Sequence, residues 1–398
     1  MAEGLGIVDV ARLADACADS SREAGIQITT ALEPIAGRMA PIKPATYAGG
    51  VFQEDERWWG EPPERTGVIV IDNPPSQANR LEAALHGMRS EFGLPEIVLD
   101  LTSVGNLPTH LPRQISSFRF PHRQADAYLR DAVLDGTPFP RSAAGAAIID
   151  ATADRPEALF RWFPQALLFG YWQSHLGKKR TQSKLARSWV SEIVGYAPAT
   201  SAGHRTGLSG TKGDPLNLAA EERVEYVEDD ILAGWDLTAR AGKEAGPTGQ
   251  RKKEKLSEIG HGQVPYANAA LASVSFKAIE QHTTVSFAGL RRIKTSAQGR
   301  GLLVALGLIA HVDAFGRPFS LRSGCDLRPV RSSWRWLGPD RDQELQALDF
   351  EGAADLLRHS VEAAGELASD GGWKSEPLVL RPNSALQKAI ELSWPVRE

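Results

Sequence analysis

Two short apolar runs, Gly67–Asp72 (GVIVID) and Glu96–Leu101 (EIVLDL), lie on either side of a segment with helical periodicity. A short continuous apolar run bounded by turn signals reads as a strand buried on both faces. After the first run Asn73–Pro74–Pro75 breaks the strand and Ser76 falls at a helix N-cap position. Ala78, Leu81, Leu85, Met88 and Phe92 then recur at helical spacing until Gly93–Leu94–Pro95 closes the helix. Two doubly buried strands around one helix need further layers to cover them, so the rest of the chain has to supply those layers.

Residues 8–23 read as an amphipathic helix ending near Gly25, and Ile26–Leu32 alternates as a first strand. The Gly/Pro-rich stretch after it reads as an irregular connection. Pro121–Phe139 (PHRQADAYLRDAVLDGTPF) carries Ala125, Tyr128, Leu129, Ala132 and Val133 at helical spacing, which predicts a short amphipathic helix. His122, Asp126 and Arg130 then share one polar face of it. Ala166–Trp172 reads as a strand or a buried helical turn. Lys184–Val194 reads as a helix, because Leu185, Trp189 and Ile193 repeat at i+4. Ala272–Phe276, Thr283–Phe287 and Gly301–Val312 read as three more strands, and Phe350–Leu367 as a last amphipathic helix. Residues 197–217 and 239–266 read as mobile loops, the second as a flexible insertion. This order predicts an α+β fold with a split sheet, an RRM-like (ferredoxin-like) core interrupted by a large insertion.

At 398 residues, 42% hydrophobic and 24% charged, the chain has the composition of a soluble globular protein. No apolar run approaches the roughly 20 residues that span a bilayer, and no basic region precedes an apolar stretch at the N-terminus. Cys17 and Cys325 alone make neither a disulfide framework nor a cysteine-built zinc site, which suits a cytoplasmic location. The net charge of −4 is unevenly spread. Arg291–Arg335 holds nine Lys/Arg against two Asp, and Lys178–Arg187 (KKRTQSKLAR) holds five basic residues and no acid. Segregated basic runs suit either a polyanion-binding face or ordinary solvated surface.

The turn NPPSQANR lacks both GxGxxG and GxxxxGK[ST], and its prolines remove the N–H groups a phosphate cradle needs. Ser76, Gln77, Asn79 and Arg80 still offer donors at a helix N-terminus, for a backbone phosphate or for ordinary capping. His122 and Asp126 have the spacing of a metal half-site, yet neither HExxH nor a second ligand cluster accompanies them; a structural pair is the alternative. No nucleophile motif is present, so no catalytic residue, metal or cofactor is assigned. The basic elements point to a sugar–phosphate backbone: Lys178, Lys179 and Arg180 in a loop, Lys184 and Arg187 after it, and Arg291, Arg292, Lys294 and Arg300 in a glycine-bracketed turn. Trp58, Trp59, Trp172, Trp334 and Trp336 are candidate stacking surfaces or core residues.

Four blocks in order, ALEPIAGR (31–38), SQANRLEAAL (76–85), Pro121–Phe139 and ALLFGYWQS with KLARSWVSEIVGYA (166–197), resemble the RAMP-type backbone subunit of CRISPR Cascade in subtype I-G. The resemblance spans the first half of the chain; the second half agrees only in outline. It implies an RRM-like palm with inserted finger and thumb elements. The palm is expected over about 26–110 and 270–340, the insertion over about 111–269, and a helical segment over 341–398. It also implies copies stacked head-to-tail along a CRISPR RNA, which is then presented for pairing with a target DNA strand. A large subunit and a guide-processing, end-capping subunit would be the other partners. Delegating sequence recognition to base pairing calls for a protein that grips phosphates without reading bases. The RNA-binding residues expected are Ser76, Gln77, Asn79, Arg80, His122, Arg123, Lys178, Lys179, Arg180, Lys184, Arg187, Arg291, Arg292 and Arg300. The alternative is a metal-dependent RNA nuclease of the RAMP superfamily, centred on His122, Asp126 and Asp214.

Overall fold

The computed structural model describes residues 5–48, 51–105, 107–173, 183–199, 223–227, 251–255, 273–369, 373–374 and 376–393. Lys178, Lys179, Arg180 and Asp214 lie outside the described residues, as does 239–266 apart from Arg251–Lys255. The chain divides into two compact units: Met1–Tyr47, Phe52–Ala202 and Ser273–Pro395 in one, Ala48–Val51, Gly203–Ala272 and Val396–Glu398 in the other. In the second unit two strands, β11 (Arg223–Val227) and β12 (Arg251–Lys255), pair antiparallel with Arg223 opposite Lys255.

The first unit is built on an antiparallel sheet whose central strands are β1 (Gly25–Pro34), β10 (Trp189–Pro198), β13 (Phe276–Ser286) and β15 (Cys325–Leu337). Their spatial order, β15-β1-β13-β10, places the fourth strand beside the first and the third between first and second. This is the arrangement of a split β-α-β sheet, as the element order predicts. The hairpin β2 (Glu54–Trp59) with β3 (Glu64–Asp72) extends the sheet beyond β10. At the other edge β14 (Phe319–Arg322) and β16 (Asp342–Leu345) both pair with β15. Residues 203–272 fall between β10 and β13, where the two strands would otherwise be joined by a simple hairpin turn.

One face of this sheet carries α1 (Val10–Cys17), α2 (Pro74–Gly87) and the central helix α9 (Ala297–Phe315), with α10 (Phe350–Ala364) packed on α9. Gly301–Val312, expected as a strand, lies inside α9. From Gly299 to His311 every residue is buried, and a uniformly apolar run has no period to separate strand from helix. Ser296 starts the helix, its Oγ accepting the Gly299 N–H at 3.0 Å. At Gly307 a Cβ would lie 2.5 Å from the Trp189 ring, so the contact of α9 with β10 requires glycine there. The opposite error occurs at Lys184–Val194, which is the strand β9 (Ser183–Leu185) followed by β10. A spacing of four satisfies two strand repeats as well as a helical turn, so Leu185, Trp189 and Ile193 are all buried in either conformation. Of the expected strand at 272–276 only Phe276 belongs to β13, with an isolated bridge at Val274, whereas 283–286 ends β13 and Phe287 starts a helical turn.

A second sheet, in the order β5-β4-β17-β6-β7, lies in the same unit. Its strands are β4 (Ile97–Asp100), β5 (Gln114–Ser116), β6 (Ala132–Leu134), β7 (Thr137–Pro138) and β17 (Leu378–Pro382). The strand–helix–strand unit at 67–101 therefore links two sheets: β3 joins the first, and β4 pairs parallel with β17 in the second. β10 lies in the central sheet although 111–269 was expected to be inserted, and 341–398 contributes strands as well as helices. The remaining helices are α3 (Arg89–Phe92), α4 (Ala127–Arg130), α5 (Ala143–Asp150), α6 (Glu157–Trp162), α7 (Pro164–Phe169), α8 (Phe287–Leu290), α11 (Glu366–Ser369) and α12 (Ser384–Ser393). Side chains from both sheets and from α1, α2, α9 and α10 form one continuous core.

His311 is a buried imidazole beside that core, ringed by Trp189, Phe315 and Trp334. Burial pushes its imidazole down to about 4. The unfolded chain then binds one more proton than the folded chain between pH about 4 and about 6.5. Stability from this residue is complete above that window and falls by about 3 kcal/mol as pH drops through it. Urea denaturation at pH 7 and pH 4.5 is expected to show a smaller acid loss in His311→Leu than in the unsubstituted chain. Equal losses would place the acid sensitivity elsewhere.

Candidate nucleic-acid interface

The stretch Pro121–Phe139 is not one helix. His122 is followed by a 3₁₀ turn (Arg123–Ala125), then by the single turn α4, and Ala132–Pro138 forms the β6–β7 hairpin. Asp135 and Gly136 both have positive φ (48° and 79°), so the Asp-Gly pair makes the hairpin turn and halts any helix before it. Asp126 caps α4, its carboxylate accepting the Tyr128 N–H at 2.9 Å and the His122 N–H at 3.0 Å. Arg130 pairs with the neighbouring Asp131. The His122–Asp126–Arg130 face is thus replaced by a local cap with an exposed His122 ring.

Arg123 has φ 53° and points inward, its Nε donating to Glu82 Oε1 at 2.7 Å and a terminal nitrogen to Glu82 Oε2 at 2.9 Å. The other terminal nitrogen donates to the Gly170 carbonyl at 3.0 Å. Burial raises the Glu82 carboxyl above its ordinary range, and the Arg123 guanidinium opposes that shift. Gly170 (φ 78°) admits no side chain, because a Cβ would lie 2.7 Å from the Leu185 carbonyl. This close approach seats β9 against β8 (Tyr171–Gln173), with Trp172 opposite Lys184.

The donors at the start of α2 also turn inward. The prolines expected to end the strand region occupy the first turn of α2, and Asn73 rather than Ser76 is its N-cap. Ser76 Oγ donates to Asp72 at 2.8 Å and Gln77 Nε2 donates to Asp72 at 2.6 Å. Arg80 Nε reaches Asp72 at 2.9 Å and Arg322 reaches it at 3.0 Å. Gln77 is fully buried and its carbonyl accepts from Ser191 (2.9 Å) and Gln281 (2.8 Å). Asn79 alone of this group is exposed. Ser76, Gln77 and Arg80 hold the fold together at this corner, and they do not form a row of free donors.

Five of the arginines in the basic segment 291–335 pair with acids, all of them except Asp313 from outside the segment. Arg300, 2% exposed, pairs with Asp19 and donates to the Cys17 and Ile293 carbonyls. Arg291 caps the end of α1 through the Ala16 and Glu23 carbonyls. Arg317 pairs with Asp313, Arg322 with Asp72, Arg328 with Glu33 and Arg335 with Asp342. Arg292, Lys294 and Arg331 remain exposed. Burial takes Arg291 and Arg300 away from an external polymer, a correction that linear charge counting has no means to make.

The exposed cations near β9 are Lys184 and Arg187, the second held below its ordinary range by burial and then by the Arg123 charge. Trp172 is 65% exposed beside them, whereas Trp334 and Trp336 are core residues. The sheet face opposite the helices stacks Trp59 on Tyr196 at 5.1 Å, pairs Arg57 with Glu192 and sets Glu280 against the His282 ring. That face presents few open cations or open rings. The strip from His122 to Arg187 along β8 and β9 brings exposed cations and an exposed aromatic ring together. Its aromatic member, Trp172, is not separable from core tryptophans in sequence; its place opposite Lys184 singles it out. Among the described residues no group of three or more His, Cys, Asp or Glu could hold a metal ion. No helix among them is long and apolar enough to cross a membrane.

Arg123→Ala is expected to destabilise the chain by about 3–5 kcal/mol in urea denaturation, because it leaves Glu82 charged and buried without a partner. His122→Ala, at an exposed ring, is expected to stay within about 0.5 kcal/mol. Similar effects from the two substitutions would contradict this division of roles.

No curated protein matches the chain. Residues 26–199, from β1 to the end of β10, match the model of a CRISPR-associated protein family, CRISPR-associated protein GSU0053, and this segment is accordingly similar to a CRISPR-associated (Cas) family.

Proposed function

We propose that the chain is a backbone subunit of a type I Cascade surveillance complex that binds CRISPR RNA. Several copies stack head-to-tail along the guide and hold its phosphates while its bases pair with a target DNA strand. The observation that carries this reading is the family match over 26–199, a segment that contains the β8–β9 ribbon and its cations. The split β-α-β palm supports it, being a scaffold able to carry inserted loops between its strands. Lys184 and Arg187 are the phosphate contacts, joined by Lys178–Arg180 from the segment between β8 and β9. Asn79, His122 and Arg292, the other exposed members of the expected set, are peripheral contacts. A large subunit and an end-capping subunit complete the complex, and the chain itself cleaves nothing.

Purified from cells carrying a CRISPR array, the chain is expected to be oligomeric and to hold RNA of uniform length. Its RNA affinity should fall steeply with salt, with a log–log slope of about −0.7 per neutralised phosphate. Lys184→Glu with Arg187→Glu should weaken binding for all sequences alike and reduce that slope by roughly 1 to 2. A monomer without RNA, or affinity independent of salt, would refute the reading. RNA cleavage in Mg²⁺ or Mn²⁺ that Asp126→Ala or Asp214→Ala abolishes would establish the nuclease instead.

A further inference from the structure

Beneath β8 a cavity of about 470 Å³ opens between the 3₁₀ turn at Arg123–Ala125, α4 and α5. Its walls are mainly apolar, with Leu129, Phe139 and Ile148 among them. Two amides line it, Gln124 (3% exposed) and Gln173 (5% exposed). Among the described residues, both the nitrogen and the oxygen of the Gln124 amide, and the oxygen of the Gln173 amide, have no hydrogen-bond partner. Leaving such groups unpaired inside a fold is costly, because they give up their hydrogen bonds to water and gain none. Polar groups of that kind in an apolar cavity are the ordinary signature of a ligand site.

We propose that this cavity binds a single nucleobase. An amide presents a donor and an acceptor side by side, the pattern that a base edge complements, as when glutamine pairs with adenine. The apolar walls suit the faces of a planar heterocycle, and the volume lies in the range of small-molecule sites. Asp126 also lines the cavity, but its carboxylate is occupied by the His122 and Tyr128 N–H groups. Arg141, exposed at the same cavity, supplies a charge for the phosphate attached to the base. Position also favours a nucleotide over a peptide. Gln173 shares its strand with Trp172, whose neighbour across the ribbon is Lys184.

The base has two sources, a free mononucleotide or one base of the bound RNA, and the second depends on the function proposed above. The test uses the full chain with AMP, UMP, CMP and GMP, and with single-stranded RNA carrying 2-aminopurine or an abasic site at successive positions. Gln124→Leu with Gln173→Leu should lower affinity for the accepted ligand roughly tenfold or more, the equivalent of one bidentate base contact. The melting temperature should hold or rise, because unpaired amides have been replaced by apolar groups. Binding of a mononucleotide that the double variant loses establishes the cavity even if no RNA binds. A position-specific 2-aminopurine signal, lost in the variant, establishes the RNA base as the source. Salt-dependent RNA binding that is unchanged in the variant and at every abasic position, with no mononucleotide bound, overturns the cavity and leaves the RNA-binding reading standing. A fall in melting temperature with unchanged affinity also overturns it, since the amides would then be structural.

Discussion

Asp72 is the point on which the first unit depends. It is the last residue of β3, it is wholly buried, and its two oxygens accept from Ser76, Gln77, Arg80 and Arg322. Through these bonds one carboxylate fixes the end of the sheet, the first turn of α2 and the edge strand β14. Arg80 also donates to the Leu321 carbonyl, and Arg322 to that of Lys43, which ties in two more segments. A buried ion is tolerable when its lone pairs are all satisfied, and it then fixes one arrangement among many. The chain continues inward as Gln77 accepts from Ser191 and Gln281, with Thr283 donating to Ser191 at 2.8 Å. A polar thread thus runs under α2 between strands that are otherwise apolar.

The same arrangement explains why charge counted along the sequence misjudges the surface. Guanidinium groups are used repeatedly as internal fasteners: Arg80 and Arg322 on Asp72, Arg123 on Glu82, Arg300 on Asp19, and Arg291 at the end of α1. Their planar, five-donor geometry suits carbonyls and carboxylates that cannot reach water. Other cations stay accessible, among them Arg292, Lys294 and Arg331, and around β8 and β9 Lys184, Arg187 and Trp172 are exposed while Gln173 lines the cavity. One short ribbon therefore presents cations and an aromatic ring on one side and an amide on the other, an arrangement suited to holding a strand and a base.

Some of this was legible beforehand. The alternation of Ile26–Leu32, the buried run of Gly67–Asp72, and the periodicity of α2 and α10 each contain their own answer, because local burial pattern and local conformation agree. Three stretches were misjudged for physical reasons. In α9 uniform burial erases the period; at Leu185–Ile193 a spacing of four fits both periods; at Ala132–Pro138 an Asp-Gly turn outweighs a short helical pattern. Lys184 and Arg187 were identifiable as basic residues in sequence, and both are exposed in the fold. Arg123 and Arg300 looked equivalent to them, since nothing in a linear string marks which cation will meet a buried acid from a distant segment.

The sequence by itself determined the class of fold, the split of the sheet around an insertion, and the similarity of residues 26–199 to a CRISPR-associated family. These depend on periodicity and on residue order, which are local properties. Only the tertiary structure decided that β3 and β4 serve different sheets, which arginines are spent inside, and that Gln124 and Gln173 line the same cavity. Each of those outcomes depends on pairing between residues far apart in the chain, and such pairing is set by the packing of whole elements.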